Sequence, residues 1–245
     1  MKVAIIGRGN VGSHLHEIFS GIAELDVSSL DSRQLDTVEP DMDLFLICVK
    51  DDAIQEVADR LYDLMPEFDG VVVHTSGSLE MSLLKKFKHY GVFYPLQTFT
   101  KSIPISHKDF PVFIEYSDCV AKDAMKSLAE NMTGKVLEAD SGKRRGLHVA
   151  AVFACNFANH LYSQADNVLK NEGFDFSIIL PLISETLDKL KKISPKDAQT
   201  GPARRGDSEA IRRHLEYLKN GGFPSETVSE YEFISQLIEN QYKNE

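Results

Sequence analysis

A short apolar strand that breaks into a GxGxxG turn and reopens at once as a helix leaves a chain few ways to fold. Here the pattern stands at the N-terminus: Lys2-Val3-Ala4-Ile5-Ile6, then Gly7-Arg8-Gly9-Asn10-Val11-Gly12, then Ser13-His14-Leu15. Gly7 permits the tight turn, Gly9 lets a pyrophosphate approach bare backbone, and Gly12 lets the helix pack close on the strand. The helix start turns its free amides and the positive end of its dipole toward the same point. Gly7, Arg8, Gly9, Asn10, Val11 and Gly12 are therefore the expected contacts of a dinucleotide. A GxGxxG alone is weak, and a glycine-rich turn without a ligand competes with it; the strand before and the helix after decide against that reading. An adenosylmethionine site fits less well, because its glycines usually crowd together after an acidic residue and none precedes Gly7.

Further strand signals follow at Asp43-Leu44-Phe45-Leu46-Ile47-Cys48-Val49, Val71-Val72-Val73-His74, Gly91-Val92-Phe93-Tyr94 and Pro111-Val112-Phe113-Ile114. The continuous apolar run at residues 43–49 suits a central parallel strand covered on both faces. Helical patterns are expected at residues 52–65, 81–89 and 121–132, so strand and helix alternate and the class is α/β with a doubly wound Rossmann-type sheet. The interval between Gly7 and Leu44 is too short for two full crossovers. If residues 25–30 form the second strand, residues 31–39 leave room for little more than a turn. The second crossover is expected to be abbreviated, with one strand reduced or missing.

The character changes after Asp140, which with Ser141 reads as a helix cap. A long helix over residues 148–171 is apolar on nearly all sides from Val149 to Leu161. Such a helix must be buried, and the remaining tail is too small to bury it alone, so a homodimer through the C-terminal helices is expected. Gly173 stops that helix. Residues 177–193 form another that Pro181 kinks or starts; Asp207 caps a third over 208–219, and a fourth runs from Ser225 to Tyr242. The expected domains are residues 1–140, binding a dinucleotide, and residues 141–245, all-helical, for substrate and dimerisation.

The acidic balance, a net charge of −10, disfavours nucleic acid as a partner, because phosphate backbones demand a basic face. No apolar run approaches the ~20 residues of a membrane span. With no charged and cleavable leader, the expectation is a cytoplasmic protein without a membrane partner. Cys48, Cys119 and Cys155 are odd in number and lack CxxC spacing. They read as reduced, mostly buried thiols, with no metal site.

Ligands of open α/β sheets sit beyond the carboxyl ends of the strands. Three segments reach that edge: Val49-Lys50-Asp51-Asp52, whose backbone could lie along the nicotinamide ribose; His74-Thr75-Ser76-Gly77-Ser78, with hydroxyls near the nicotinamide; and Tyr94-Pro95-Leu96-Gln97-Thr98-Phe99. Thr75 and Ser78 serve equally well as helix caps, and Tyr94 as a packed aromatic. At the end of the second strand Asp31 could grip a ribose diol, which favours NAD. Ser32-Arg33 suits a 2′-phosphate, with Arg8 adding charge, and the balance tips to NADP, with NAD the alternative.

In the helical half, His148, Val152, Asn156 and Asn159 share one face at helical spacing. They make either helix–helix hydrogen bonds or a wall of the cleft, with His148 exchanging the proton that accompanies hydride transfer and Asn156 orienting the reacting group. His160 points elsewhere and reads as structural. Thr200-Gly201-Pro202-Ala203-Arg204-Arg205-Gly206-Asp207 offers an anion pocket, or a surface loop in which Arg205 pairs with Asp207.

These motifs together carry a resemblance. Gly7, Gly9 and Gly12; residues 74–78 and 94–99; His148-Val149-Ala150-Ala151-Val152-Phe153; Asn156-Phe157; and residues 200–207 resemble, over nearly the whole chain, a Rossmann-like family with an uncharacterised C-terminal helical domain. Its members are named as candidate NADP oxidoreductases. It is similar in layout to pyrroline-5-carboxylate reductase, deazaflavin-dependent NADP reductase and the β-hydroxyacid dehydrogenases. The resemblance implies an NADP-binding domain, a helical dimerisation domain and a cleft between them. One feature departs: the β-hydroxyacid dehydrogenases place a catalytic lysine, with asparagine one turn on, early in the first long helix. Here that helix carries His148 with Asn156 two turns later, and Lys143 is a poor substitute.

The expected function is an NADP-dependent oxidoreductase acting on a small anionic carbonyl, hydroxyl or imine compound. Hydride passes beside Ser76, His148 handles the proton, Asn156 orients the substrate and Arg205 holds a negative group. Ser32, Arg33, Val49, Lys50 and Thr75 join the glycine loop as cofactor contacts. The rival is a non-catalytic nucleotide sensor or assembly module on the same fold.

Overall fold

The computed structural model describes residues 1–39, 41–106 and 109–243. The chain divides into two compact units, Met1–Asn156 and Phe157–Glu245.

The first unit is built on seven strands: β1 (Lys2–Ile6), β2 (Asp26–Leu30), β3 (Leu44–Ile47), β4 (Val71–His74), β5 (His89–Pro95), β6 (Val112–Tyr116) and β7 (Val136–Glu138). They lie in the order β2-β1-β3-β4-β5-β6-β7. All neighbours are parallel except β5 and β6. Among the described residues between β5 and β6 there is no helix, and β6 returns beside β5 antiparallel. Helices α1 (Asn10–Ser20), α2 (Asp51–Leu64) and α3 (Cys119–Met132) connect β1 to β2, β3 to β4 and β6 to β7, while among the described residues the β2–β3 and β4–β5 connections carry only 3-10 turns.

Side chains alternate across the sheet. Val3, Ile5, Leu46, Val73 and Phe93 pack with Leu15 and Phe19 of α1 and Met125 and Leu128 of α3 on one face. Ala4, Ile6, Phe45, Ile47 and Val72 pack with Ile54, Val57 and Leu61 of α2 on the other. A strand buried on both faces cannot alternate polar with apolar residues, which is why β3 reads as one apolar run.

The second crossover is abbreviated as expected. Between β2 and β3 stands only a single 3-10 turn, Leu35–Thr37. The strand that lies outside β2 in the common doubly wound order is absent among the described residues. Three expectations need correction. Residues 81–89 do not form a helix; a 3-10 turn covers Met81–Leu84 and β5 begins at His89, because the loop leaving β4 uses up the length. The short strand β7 carried no sequence signal. Cys48 is buried, but Cys119 and Cys155 are exposed, both lying on outward helix positions.

The long helix begins earlier than its apolar run suggests, at Ser141. Asp140 caps it by accepting from the Lys143 amide at 2.7 Å. It runs as α4 (Ser141–Ala151), a six-residue π segment (Val152–Phe157) and α5 (Ala158–Asn171). Residues of α4 belong to the sheet unit: Leu147 packs on Val92, Tyr94, Phe113 and Ala139.

The second unit contains α5, α6 (Leu180–Leu190), α7 (Pro195–Ala198), α8 (Pro202–Arg205), α9 (Ser208–Asn220) and α10 (Ser225–Tyr242). Gly173 ends α5 with φ +77°, Pro181 lies in the first turn of α6, and Asp207 caps α9 through the Ala210 amide at 3.0 Å. Many of its large apolar side chains are exposed, among them Ile178, Leu182, Leu187, Phe233 and Leu237. Among the described residues no helix is long and apolar enough to cross a membrane.

Candidate functional site

The glycine loop has the shape its sequence demands. Gly7 sits at φ +115°, and a Cβ there would run into the carbonyl oxygen of Cys48. Its amide donates to Leu30 O at 3.0 Å, tying the exit of β1 to the end of β2. Gly12 lies so close to Gly7 that a Cβ would strike the Gly7 carbonyl, whereas a Cβ on Gly9 would meet nothing within 4 Å. The turn is therefore tight on its inner side and open at Gly9. Helix α1 has no acidic residue in its first turn and no side-chain cap, so its leading amides and dipole stay available to an anion. The Asn10 side chain accepts from the Lys101 amide at 3.3 Å, which brings residues 97–103 beside the helix start.

At the end of β2, Asp31 accepts from the Arg33 amide at 3.0 Å, and the Arg33 side chain is 92% exposed. Arg60 of α2 donates to the carbonyls of Ser32 and Arg33 at 3.3 and 3.5 Å, and Arg8 donates to Ser29 O at 3.2 Å. Arg8, Ser32 and Arg33 thus gather at one strand end, where the Asp31 carboxylate, held in its own turn, also stands 4.0 Å from the Arg33 guanidinium. Val49 and Lys50 lead from β3 into α2, whose first turn carries Asp51 and Asp52. Those carboxylates answer the dipole of α2 and leave no second anion site there. The amide and hydroxyl of Thr75 both donate to Ile47 O, at 3.2 and 3.4 Å. Burial pushes the Cys48 thiol up to about 12, so it stays protonated behind the loop.

The loop after β4 is held from all sides. His74 is fully buried; its Nδ1 accepts from the Ser76 amide at 3.2 Å and its Nε2 donates to Glu80 O at 3.4 Å. Burial, and then the positive charge of Arg144, lower its pKa to about 4, so it is a neutral strut. The Ser76 hydroxyl accepts from the amides of Ser78 and Leu79, both at 3.1 Å. It therefore shapes the loop.

Sequence reasoning missed what holds this loop to α4. Arg144, 1% exposed, pairs with Glu115 of β6 and donates to the carbonyls of Ser76, at 3.1 Å, and Leu79. Ser141 donates to the same carboxylate from its amide at 3.0 Å and from its hydroxyl at 2.8 Å. The only available signal was an acid closing the apolar strand at residues 111–115 and an arginine one turn before His148.

One turn beyond Arg144, His148 lies against the backbone of Gly77, where a Cβ would come within 2.7 Å of its Cγ and Nδ1. Its Nδ1 is 3.0 Å from the Tyr94 hydroxyl, with the rings in an edge-to-face arrangement at 6.0 Å. Ser76, Gly77, Tyr94 and His148 are therefore one cluster at the carboxyl ends of β4 and β5.

Asn156 is exposed in the π segment. The i→i+5 bonding there holds more residues per turn than an α-helix. The expectation that His148, Val152, Asn156 and Asn159 share one face rested on uninterrupted α-helical spacing, and the π segment breaks it. His160 bonds to Glu230 at 3.2 Å within its own unit. Arg205 does not pair with Asp207, which caps α9 instead; the guanidinium is exposed between Gly201 and Gly206, both at positive φ. It lines a surface hollow of about 400 Å³ with Ala203, Arg204, Glu239 and Tyr242.

A family model described as a domain of unknown function (DUF2520) matches residues 110–238, over half of the chain. A Bacteroides fragilis protein named as a candidate NADP oxidoreductase is 34% identical, with 98% of each chain covered and a TM-score of 0.88. Two more distant structures share the fold. One is a reductive aminase from Aspergillus terreus in complex with NADPH and ethyl levulinate, at 14% identity, 99% and 94% coverage and TM-score 0.70. The other is Plasmodium falciparum pyrroline carboxylate reductase with NADP bound, at 12% identity, 97% and 98% coverage and TM-score 0.61. A search of the curated proteins found no match. By its sequence and its fold, the chain belongs to the DUF2520 family, Rossmann-like with a helical C-terminal domain.

Proposed function

We propose that the chain is an NADP-dependent oxidoreductase, acting as a homodimer on a small anionic carbonyl, hydroxyl or imine compound. The observation that carries this reading is the glycine loop, open at Gly9, with Arg8, Ser32 and Arg33 gathered at the end of β2. Two guanidinium groups and a hydroxyl are the donor set of a 2′-phosphate, and the uncapped start of α1 is that of a pyrophosphate. When bound, the nicotinamide gives or takes the hydride. Val49, Lys50 and Thr75 would line its ribose, and the Ser76–Gly77 turn would flank the ring. His148 would exchange the accompanying proton, Asn156 would orient the reacting group, and Arg205 would hold a negative charge of the substrate. In this reading residues 1–140 bind the cofactor and residues 141–245 serve substrate and dimerisation. Fold relatives solved with NADPH or NADP bound add support.

Calorimetric titration tests the reading. NADPH should bind tighter than NADH, and Arg33→Ala should weaken NADPH by about 10–100-fold, the worth of one charge-assisted hydrogen bond, while leaving NADH unchanged. No heat with either nucleotide would overturn it.

A further inference from the structure

The phenol of Tyr94 is the one group that hydrogen-bonds the His148 ring among the described residues, at Nδ1 and 3.0 Å. We propose that Tyr94 is the positioning residue of His148: it donates its proton to Nδ1, so that the ring proton sits on Nε2, the nitrogen left to serve a reacting group. The direction of the bond follows from donor counting. Tyr94 is 8% exposed, and burial raises its pKa, so it keeps its proton. That proton needs an acceptor. Arg144, the charged group beside the phenol, has donors alone, and all of its bonds run to Glu115, Ser76, Leu79 and Ser141. The acceptor is therefore Nδ1 of His148. With the opposite arrangement, Nδ1–H directed at the phenol oxygen, a buried hydroxyl proton would have no partner among the described residues, the costlier state.

Gly77 completes the device. Its bare Cα lets the imidazole lie flush on the loop, and the phenol stands edge-to-face to the ring at 6.0 Å. A flip of the ring would lose the bond to Tyr94. One tautomer and one orientation result, and Nε2 has no partner among the described residues. That Nε2 exchanges a proton during hydride transfer rests on the function proposed above; the direction of the Tyr94–His148 bond does not.

Two measurements test this. Long-range proton–nitrogen spectra of ring-labelled protein, with the His148 signals assigned by their loss in His148→Ala, read the tautomer. Nδ1 should be pyridine-type and Nε2 pyrrole-type, and Tyr94→Phe should move Nδ1 toward its non-hydrogen-bonded position with the fold retained. A pyrrole-type Nδ1 in the unaltered protein overturns the proposal. Turnover reads the consequence. Tyr94→Phe should lower kcat about tenfold, the worth of one hydrogen bond, at unchanged KM. In the His148→Ala background it should cost nothing more. A further loss there would mean that Tyr94 acts on its own and overturns the positioning role. Failure to bind NADPH would end the reductase reading without touching the ring spectra.

Discussion

Replacing Arg144 by methionine tests how the sheet and α4 are joined. The guanidinium is 1% exposed and serves four groups: the Glu115 carboxylate, the carbonyls of Ser76 and Leu79, and the Ser141 hydroxyl. Methionine fills much of the space but leaves Glu115 with Ser141 as its remaining partner. Removing one member of a buried pair costs about 3–5 kcal/mol, most of it the burden of the stranded charge. For a chain of this size each kcal/mol lowers Tm by roughly 2–4 °C, so the variant should melt ~6–20 °C lower. The chain has no tryptophan, so far-UV circular dichroism is the probe. Glu115→Leu should also destabilise, by stranding Arg144. The double variant should recover part of the loss, because two apolar groups strand nothing. A loss below about 1 kcal/mol in Arg144→Met, or a double variant that equals the sum of the singles, would refute the coupling.

Acid should find a second weak point at His74. Its folded pKa, about 4, lies below the ordinary 6.5 because the buried site rejects the charged ring. The stability it contributes is thus complete above pH 6.5 and is lost as pH falls toward 4. The total is ~3 kcal/mol, at about 1.4 kcal/mol per pH unit. Urea midpoints at pH 7, 5.5 and 4 should fall more steeply for the unaltered protein than for His74→Gln; parallel curves would exclude His74. In the proposed dimer, Leu182 (63% exposed in one copy) should be covered. Leu182→Glu should then weaken association about 100-fold or more, since the change is made in both copies, and sedimentation should find monomers. An unchanged assembly would place the interface elsewhere. Gly12→Ala should lose nucleotide binding, because its Cβ would displace the Gly7 carbonyl; titration at unchanged affinity would contradict the loop geometry.

What could be read in advance was what local physics writes locally. Apolar runs at residues 44–47 and 71–74 announced central strands, and Gly7 with Gly12 announced the turn between β1 and α1. The missing room before Leu44 announced the shortened crossover. Helix ends at Gly173, Pro181 and Asp207 came from cap chemistry that each residue carries by itself. What stayed hidden depends on partners far apart in sequence. Glu115 and Arg144 look like ordinary surface charges until β6 and α4 meet. The pairing of Tyr94 with His148 spans 54 residues. The π segment at Val152–Phe157 is a property of the folded helix, and no spacing rule built on 3.6 residues per turn can anticipate it. Strand β7 is three residues long and mostly exposed, and so lacks any periodic signal.

The reversed strand β6 has a consequence for the length of chain on α4. It sets Glu115 opposite Val92, two residues before Tyr94 on β5. Two residues of strand advance about 6.6 Å, and four residues of helix advance about 6 Å. Arg144 reaches the level of Val92 and His148 the level of Tyr94, so helix and strand behave as two rulers with nearly the same graduation. Substitutions between Arg144 and His148 leave the match intact. A single inserted residue would turn the imidazole by about 100° and carry it past the phenol. That interval tolerates changes of letter but none of length.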